Sequence, residues 1–416
     1  METATPRPGA LSHLRVLDLS RVFAGPWAGQ MLADLGAEVI KVERPRVGDD
    51  SRRFGPPFLK DAQGRDTMES AFYISANRNK KSITVDLAKA EGQNLIRQLA
   101  AQCDVLIENY KVGDLARYGL DYPSLRELNP RLIYCSVTGF GQTGPYAARP
   151  GYDTVFQAMS GLMSVTGLPD DVPGGGPMKT GPSLSDILAG HYTVSAILAA
   201  LYHRDTVSGQ GQQLDVSLLD TSIAAMSHYA SHYLVGGDVP IRRGTEGNGG
   251  MPSRLFRCAD EAIVIVAGNN EQFERLCRVL GCTQAAADPR FATGVLRGRN
   301  RQDLAAVLEP AIARRHAAEL LAALEEAGVP AGPVYNLKQV FEDEQVRSRG
   351  LAVEAPCPGS ASGCVPMVGY PVKFSATPAD RHAAPPALGQ HTRDVLGAVL
   401  GLDDAAIDRL AAASVI

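Results

Sequence analysis

Residues 14–43 read LRVLDLSRVFAGPWAGQMLADLGAEVIKVE. The segment 14–19 (LRVLDL) is the short apolar run of a buried strand. Gly25 and Pro26 then open a helix; Pro26 suits a first turn because its ring presets φ and its missing N–H is not needed there. Gly36 stops that helix, and 37–43 (AEVIKVE) is a second strand. Two strands joined through a helix lie parallel, because only such a crossover returns the chain to the same end of a sheet. The rhythm repeats downstream, with a helix over 88–101, a strand over 105–108, a helix near 122–128 and a strand over 132–137. Repeated alternation specifies an α/β fold with a mostly parallel, Rossmann-like sheet covered by helices.

Residues 141–183 are rich in Gly and Pro, including PGGGP at 173–177, and read as long functional loop. An apolar helix over 187–204 and a strand over 213–219 follow. Texture changes after 225: a Gly-rich loop at 243–250, a strand at 262–267, then helical stretches at 271–280 and 301–327. The expected division is a large domain over 1–225, a smaller α/β domain over 226–334, and a C-terminal part, 335–416, that completes the large domain. The tail ends in a helix near 403–412.

At 416 residues the chain can bury two sizeable cores. A near-balance of 41 basic and 45 acidic residues gives no broad basic field, so neither nucleic acid nor an anionic membrane is expected as a partner. No run approaches the ~18 uninterrupted apolar residues of a membrane span. The beginning, METATPRPGALSHLRVLDL, is not that of a signal peptide. The seven cysteines are odd in number, scattered and without C-x-x-C, which points to reduced thiols, a cytoplasmic protein and no metal site.

Two motifs mislead. Gly139–Gly144 (GFGQTG) fits G-x-G-x-x-G, yet Pro145 and the following YAARPG break any helix whose N-terminus would hold a pyrophosphate; a tight glycine turn is the better reading. His228 and His232 stand four apart, but Tyr229 follows His228, so the Glu of a zinc-protease helix is missing.

Other stretches agree with one another. They are 22–44 (VFAGPWAGQMLADLGAEVIKVER), 77–87 (NRNKKSITVDL), 107–119 (IENYKVGDLARYG), 134–153 (YCSVTGFGQTGPYAARPGYD), 157–161 (QAMSG), 182–190 (PSLSDILAG), 209–220 (GQGQQLDVSLLD), 328–333 (GVPAGP) and 389–396 (GQHTRDVL). In order and spacing the chain resembles the class III CoA-transferases, the group of formyl-CoA transferase, carnitine CoA-transferase and the 2-methylacyl-CoA racemases. The resemblance implies coenzyme A or an acyl-CoA as substrate, no metal, and an interlocked homodimer. It also implies nucleophilic catalysis by a carboxylate. The family nucleophile lies in P-x-x-x-D-x-x-x-G, which here places it on Asp186. An Asp at a helix start is also a common cap, and the local residues alone favour that reading; the whole-chain resemblance reverses the order.

The same matching implies Ala24, Arg44, Asn77, Lys80, Lys81, Asn109 and Arg117 as CoA contacts, cations and helix ends being what phosphates need. Phe23 and Tyr152 fall in the substrate pocket, and Gly247, Asn248, Gly249 and Gly250 form a glycine loop that shields the intermediate. Relatives carry a His near Gly247, and this chain has none. Racemases of the family place a His where Gly151-Tyr152-Asp153 has Tyr152, and a phenol with a pKa near ~10 is a poor base for an α-proton. A transferase is therefore expected, with a 2-methylacyl-CoA racemase as the alternative. In stretches such as GDDSRRFGPPF and AGNNEQF the chain resembles the members of this family that act on dicarboxylates, and that resemblance implies a succinyl-CoA donor and a dicarboxylate acceptor such as glutarate. An arginine should hold the far carboxylate, with Arg52, Arg53, Arg242 and Arg243 as candidates.

Overall fold

The computed structural model describes residues 9–247 and 251–416. The chain forms two compact units. The larger takes in residues up to Leu162, Thr180–Gly237 and Arg347–Ile416; the smaller takes in Met163–Lys179 and Asp238–Val346. The sequence reading drew these boundaries at 226 and 334.

The larger unit is built on six parallel strands: β1 (Arg15–Asp18), β2 (Glu38–Glu43), β3 (Lys81–Thr84), β4 (Val105–Glu108), β5 (Ile133–Thr138) and β6 (Gln213–Ser217), in the order β3-β2-β1-β4-β5-β6. This is the 3-2-1-4-5-6 order of doubly wound dinucleotide-binding sheets, whose ligand crevice opens beyond the carboxyl ends of the strands between β1 and β4. Alternate residues of each strand feed opposite cores. Val16, Val39, Val105, Ile107 and Cys135 enter one; Leu17, Ile40, Leu106 and Tyr134 enter the other. Both faces are buried, so the strands read as continuous apolar runs rather than as alternation.

The first core is closed by α1 (Ala24–Asp34), α4 (Asp153–Met159) and α5 (Leu184–His203), the second by α2 (Ala90–Ala101) and α3 (Tyr122–Leu128). The segment from Leu184 to Ser208 is, by length and composition, long and apolar enough to cross a membrane. In the structure α5 packs along α1 and across β5 and β6, with Ala189, Val194, Ile197, Ala200 and Leu201 in the first core, while Tyr192 and Tyr202 on its other side are exposed.

Strand β3, within NRNKKSITVDL, was not expected from the sequence. The GQHTRDVL segment covers its outer edge: His391 N donates to Ser82 O at 2.9 Å, and His391 Nδ1 accepts from Ser82 N at 3.2 Å. Helices α9 (Thr392–Leu400) and α10 (Asp404–Ala412) are numbered after the three of the smaller unit. They place Val395, Leu396 and Ile407 in the second core.

The smaller unit holds an antiparallel sheet, β7 (Ser253–Arg257), β8 (Ala262–Val266) and β9 (Ala331–Pro333), in the order β9-β8-β7. Helices α6 (Asn270–Leu280), α7 (Arg301–Ala313) and α8 (Ala317–Glu326) pack on it through Phe273, Leu304, Leu308 and Leu320. The single helix expected over 301–327 is two, separated at 314–316.

Candidate active site

At the switch point the loop after β1 meets the loop after β4. Asn109 ties them together: its Oδ1 accepts Arg21 N at 2.9 Å and its Nδ2 donates to Arg21 O at 2.7 Å. Val22 follows at φ +71°. A β-branched residue in the left-handed region costs on the order of 1–3 kcal/mol and persists only where its surroundings enforce it. Here Asp49 Oδ1 accepts Val22 N at 3.0 Å, and Asp49 is in turn paired with the buried Lys41 at 2.8 Å.

The strained turn delivers the first residues of α1. Phe23, the N-cap, supplies no side-chain cap, and Pro26 has no N–H. The buried N–H groups of Ala24 and Gly25 have no acceptor among the described residues. Trp27 Nε1, also buried, has none either. Unaccepted donors at a helix N-terminus are a site for negative charge.

Helix α5 lies against this turn. A Cβ on Gly190 would come within 2.7 Å of Trp27 Cδ1 and 3.1 Å of Ala24 O. Only glycine lets the two helices approach so closely. Asp186 is four residues earlier, on the same face and one turn nearer the N-terminus of α5.

The cap alternative for Asp186 does not hold. Its carboxylate accepts no hydrogen bond among the described residues, and Ser183, at the N-cap, offers none either. The helix is capped from outside. Asp153, at the first position of α4, accepts Ser185 N on Oδ1 at 2.8 Å. Its Oδ2 accepts from Gln157 Nε2 at 2.7 Å. The amide oxygen of Gln157, fully buried, takes Thr180 N at 2.9 Å and Thr180 Oγ1 at 3.2 Å. One turn of α4 thus holds both limbs of the 180–185 bend that presents Asp186. Burial, and then the negative charge of Asp153, push the Asp186 carboxyl up to about 7. The sequence reading used Gly151-Tyr152-Asp153 only for its tyrosine and missed Asp153; the pairing of D and Q four apart in GYDTVFQ was the available signal.

The remaining candidates divide. Phe23 is buried, stacks on Trp27 at 5.5 Å and meets Phe72 at a tilt at 4.9 Å, forming an apolar wall beside α1. Arg44 is exposed after β2 with no ion pair among the described residues. Lys81 and Arg117 are exposed, paired with Glu38 at 2.6 Å and Asp114 at 2.8 Å. Asn77 and Lys80 are buried and engaged. All three donors of Lys80 are used, on Asp18 at 2.9 Å, Pro26 O at 2.8 Å and Asn77 Oδ1 at 3.0 Å. They fasten the segment 77–80 under α1, and Gly29 leaves room for the Asp18–Lys80 pair. Tyr152 is 73% exposed.

Gly139–Gly144 opens no helix. Gly141 and Gly144 have positive φ, and the ring of Phe156 lies against both Gly139 and Gly151. In the smaller unit, Gly247 N donates to Ser253 O at 2.9 Å, and the buried Arg297 holds Met251 O at 2.6 Å. Asn248, Gly249 and Gly250 lie outside the described residues. Of the four arginines, Arg52 is buried and committed to Glu43, Glu69 and Tyr73. Arg242 holds Leu168 O, Ser164 O and Asp170. Arg53 and Arg243 have no carboxylate partner among the described residues.

The family model for CoA-transferase family III matches residues 11–392. A succinate–glutarate CoA-transferase from Agrobacterium fabrum is 46% identical over 94% of this chain and 96% of its own. A human succinyl-CoA:glutarate CoA-transferase is 42% identical over 98% of this chain and 90% of its own. The crystal structure of a CAIB/BAIF family protein from Brucella suis superposes with a TM-score of 0.84 at 41% identity, covering 94% of this chain and all of that one.

Proposed function

Because this chain belongs to CoA-transferase family III and is an enzyme that transfers CoA, we propose that it moves CoA from succinyl-CoA to a dicarboxylate such as glutarate through covalent bonds to Asp186. The observation that carries the assignment is an unbonded carboxylate with a carboxyl near 7, on a helix face that packs against unaccepted N–H donors. A carboxylate bound by N–H groups is a weak nucleophile; one left bare and desolvated is a strong one.

In the proposed sequence, an Asp186 oxygen attacks the thioester carbonyl of the donor. The C–S bond breaks, leaving a mixed anhydride and CoA thiolate. The thiolate attacks the Asp186 carbonyl, releases succinate and forms an aspartyl-CoA thioester. The acceptor carboxylate then displaces CoA to form a second anhydride. Returning thiolate attacks the acceptor's carbonyl, which yields acceptor acyl-CoA and free Asp186. Each addition develops an oxyanion, and the N–H groups of Ala24 and Gly25 are its proposed donors. Loss of one such donor typically costs 10²–10³ in rate.

CoA itself is assigned to the crevice between the loops after β1 and β4, with Arg44, Asn109 and Arg117 toward its phosphates and adenosine. The loop residues Gly247, Asn248, Gly249 and Gly250 are proposed to shield the intermediate, and Arg53 or Arg243 to hold the far carboxylate of the acid. The exposed apolar run Tyr233, Leu234, Val235, Val239 and Ile241 supports a homodimer, here proposed as interlocked. The free cysteines suit a reducing cytoplasm.

The test is a mass-spectrometric assay with succinyl-CoA and a panel of acids: glutarate, itaconate, mesaconate, malate, oxalate, formate and carnitine. New acyl-CoA that disappears in Asp186→Ala, with CoA still bound, is the expected result. Transfer at the native rate by Asp186→Ala would remove the nucleophile assignment. α-Proton exchange in a 2-methylacyl-CoA, without transfer, would move the protein to the racemase branch.

A further inference from the structure

We propose that Asp153 is a positioning residue that keeps Asp186 bare and reactive, with Gln157 as its brace. The inference rests on the reading of Asp186 as nucleophile and extends it to how the fold prepares that group.

The first-turn N–H groups of a helix seek an acceptor, and an Asp in that turn is an obvious one. Were the Asp186 carboxylate to fold back onto them, its lone pairs would be occupied and its pKa lowered. Asp153 prevents this by meeting Ser185 N itself, at 2.8 Å. The cap comes from another helix, so the nucleophile is spared. Asp153 cannot drift, because Gln157 grips its second oxygen at 2.7 Å and is itself held by Thr180. Both Asp153 and Gln157 are buried.

The second effect is electrostatic. Capping through Ser185 fixes a negative charge one residue from Asp186, in a partly desolvated place. Two carboxylates so arranged resist ionising together. Acylation of Asp186 converts a carboxylate into a neutral anhydride, and the repulsion vanishes in that step. The arrangement therefore raises the energy of the free enzyme relative to the acylated one. The charged group that acts on Asp186 is Asp153 of α4; the first turn of α1, which meets this helix at Gly190 through Ala24 and Trp27, carries no titratable side chain; on its own helix the next titratable side chain is His191, whose Nδ1 lies 2.8 Å from Ile187 O.

The experiment uses the full-length protein and the succinyl-CoA transfer assay. Asp153→Asn keeps a cap oxygen and removes the charge. Its acid limb in kcat/KM is expected to move down by on the order of one pH unit. Its kcat at pH 8 should fall about tenfold, with KM for acyl-CoA within a factor of about two. Gln157→Ala loosens the brace but leaves the charge, so kcat should fall while the acid limb stays in place. An Asp153→Asn enzyme with native kcat and a native acid limb overturns the proposal. Should that variant fail to fold, Gln157→Ala decides: native kcat overturns it, and lowered kcat with unchanged KM supports it. Asp186→Ala is run beside them. If it retains transfer, the nucleophile reading fails; if it is inactive while Asp153→Asn is native, only the positioning role fails.

Discussion

At the scale of single residues, the site is a balance between stability and reactivity. The Asp186 carboxyl stands at about 7 against an ordinary 3.8. Its folded pKa is raised, so the folded state holds this proton more tightly than the unfolded chain does. That contribution is complete below about 4 and is lost as pH rises through about 7, above which the ionised group costs stability. In the proposed mechanism transfer needs the ionised form, so kcat/KM for acyl-CoA should rise with pH through an acid limb near 7, which a pH–rate profile measures. Asp186→Asn should be inactive and more stable than the native enzyme at pH 8, by on the order of 2 kcal/mol, with the gap closing toward pH 4. Thermal unfolding at the two pH values checks this. A variant no more stable at pH 8 would show that the site is not strained by its own charge.

At the scale of elements, the proposed site depends on how closely α5 lies to the first turn of α1. Gly190 sets that distance, with Ala24 O and Trp27 as the limiting atoms. A methyl group there must push against backbone as well as the Trp27 ring. Gly190→Ala should destabilise the protein by about 1–3 kcal/mol and lower kcat more than it raises KM, because the donors at Ala24 and Gly25 would shift from Asp186 while the crevice at Asn109 stays intact. Denaturant unfolding and steady-state kinetics separate the two effects. Helix α1 is otherwise well fastened. Gln30 donates to Ser75 O and accepts from Arg78 N, and Arg78 pairs with Asp34. The AGPWAGQ and NRNKK segments are thus two halves of one clamp, and Lys80 belongs to the clamp through all three of its donors.

At the scale of the whole molecule, the two ends of the chain complete one domain. Segment 389–416 covers the β3 edge and contributes Val395, Leu396, Ile407 and Val415 to the second core. Deleting residues 389–416 would leave an open parallel edge and an uncovered apolar face, which invites aggregation. The truncated protein should be insoluble or lack a cooperative transition by circular dichroism, whereas a native-like melt would show that the tail is dispensable. Below the sheet's carboxyl ends runs a buried charge network, in which Arg52 meets Glu43 and Glu69, and Lys41 meets Asp49. Removing one member of such a network typically costs about 3–5 kcal/mol, because its partner is left charged and alone.

The α/β class, the parallel rhythm, most element positions and the motif that singles out Asp186 were legible in the sequence by itself. Strand–helix alternation is a local pattern, and P-S-L-S-D-I-L-A-G is a contiguous one. Strand β3 was not legible, because the polar NRNKK run hides four residues of strand whose partners, β2 and the 389–392 segment, are distant in the chain. Only the tertiary structure decided that Asp186 is not the cap of its own helix. The acceptor that replaces it, Asp153, lies 33 residues earlier and reaches Ser185 across a long loop. The same holds for Lys80 and Asn77, which look like phosphate ligands in a line of letters and are buried partners of Asp18 and Pro26 in space. A cation's type is written in the sequence; which anion or carbonyl consumes its donors depends on what the fold brings within about 3 Å.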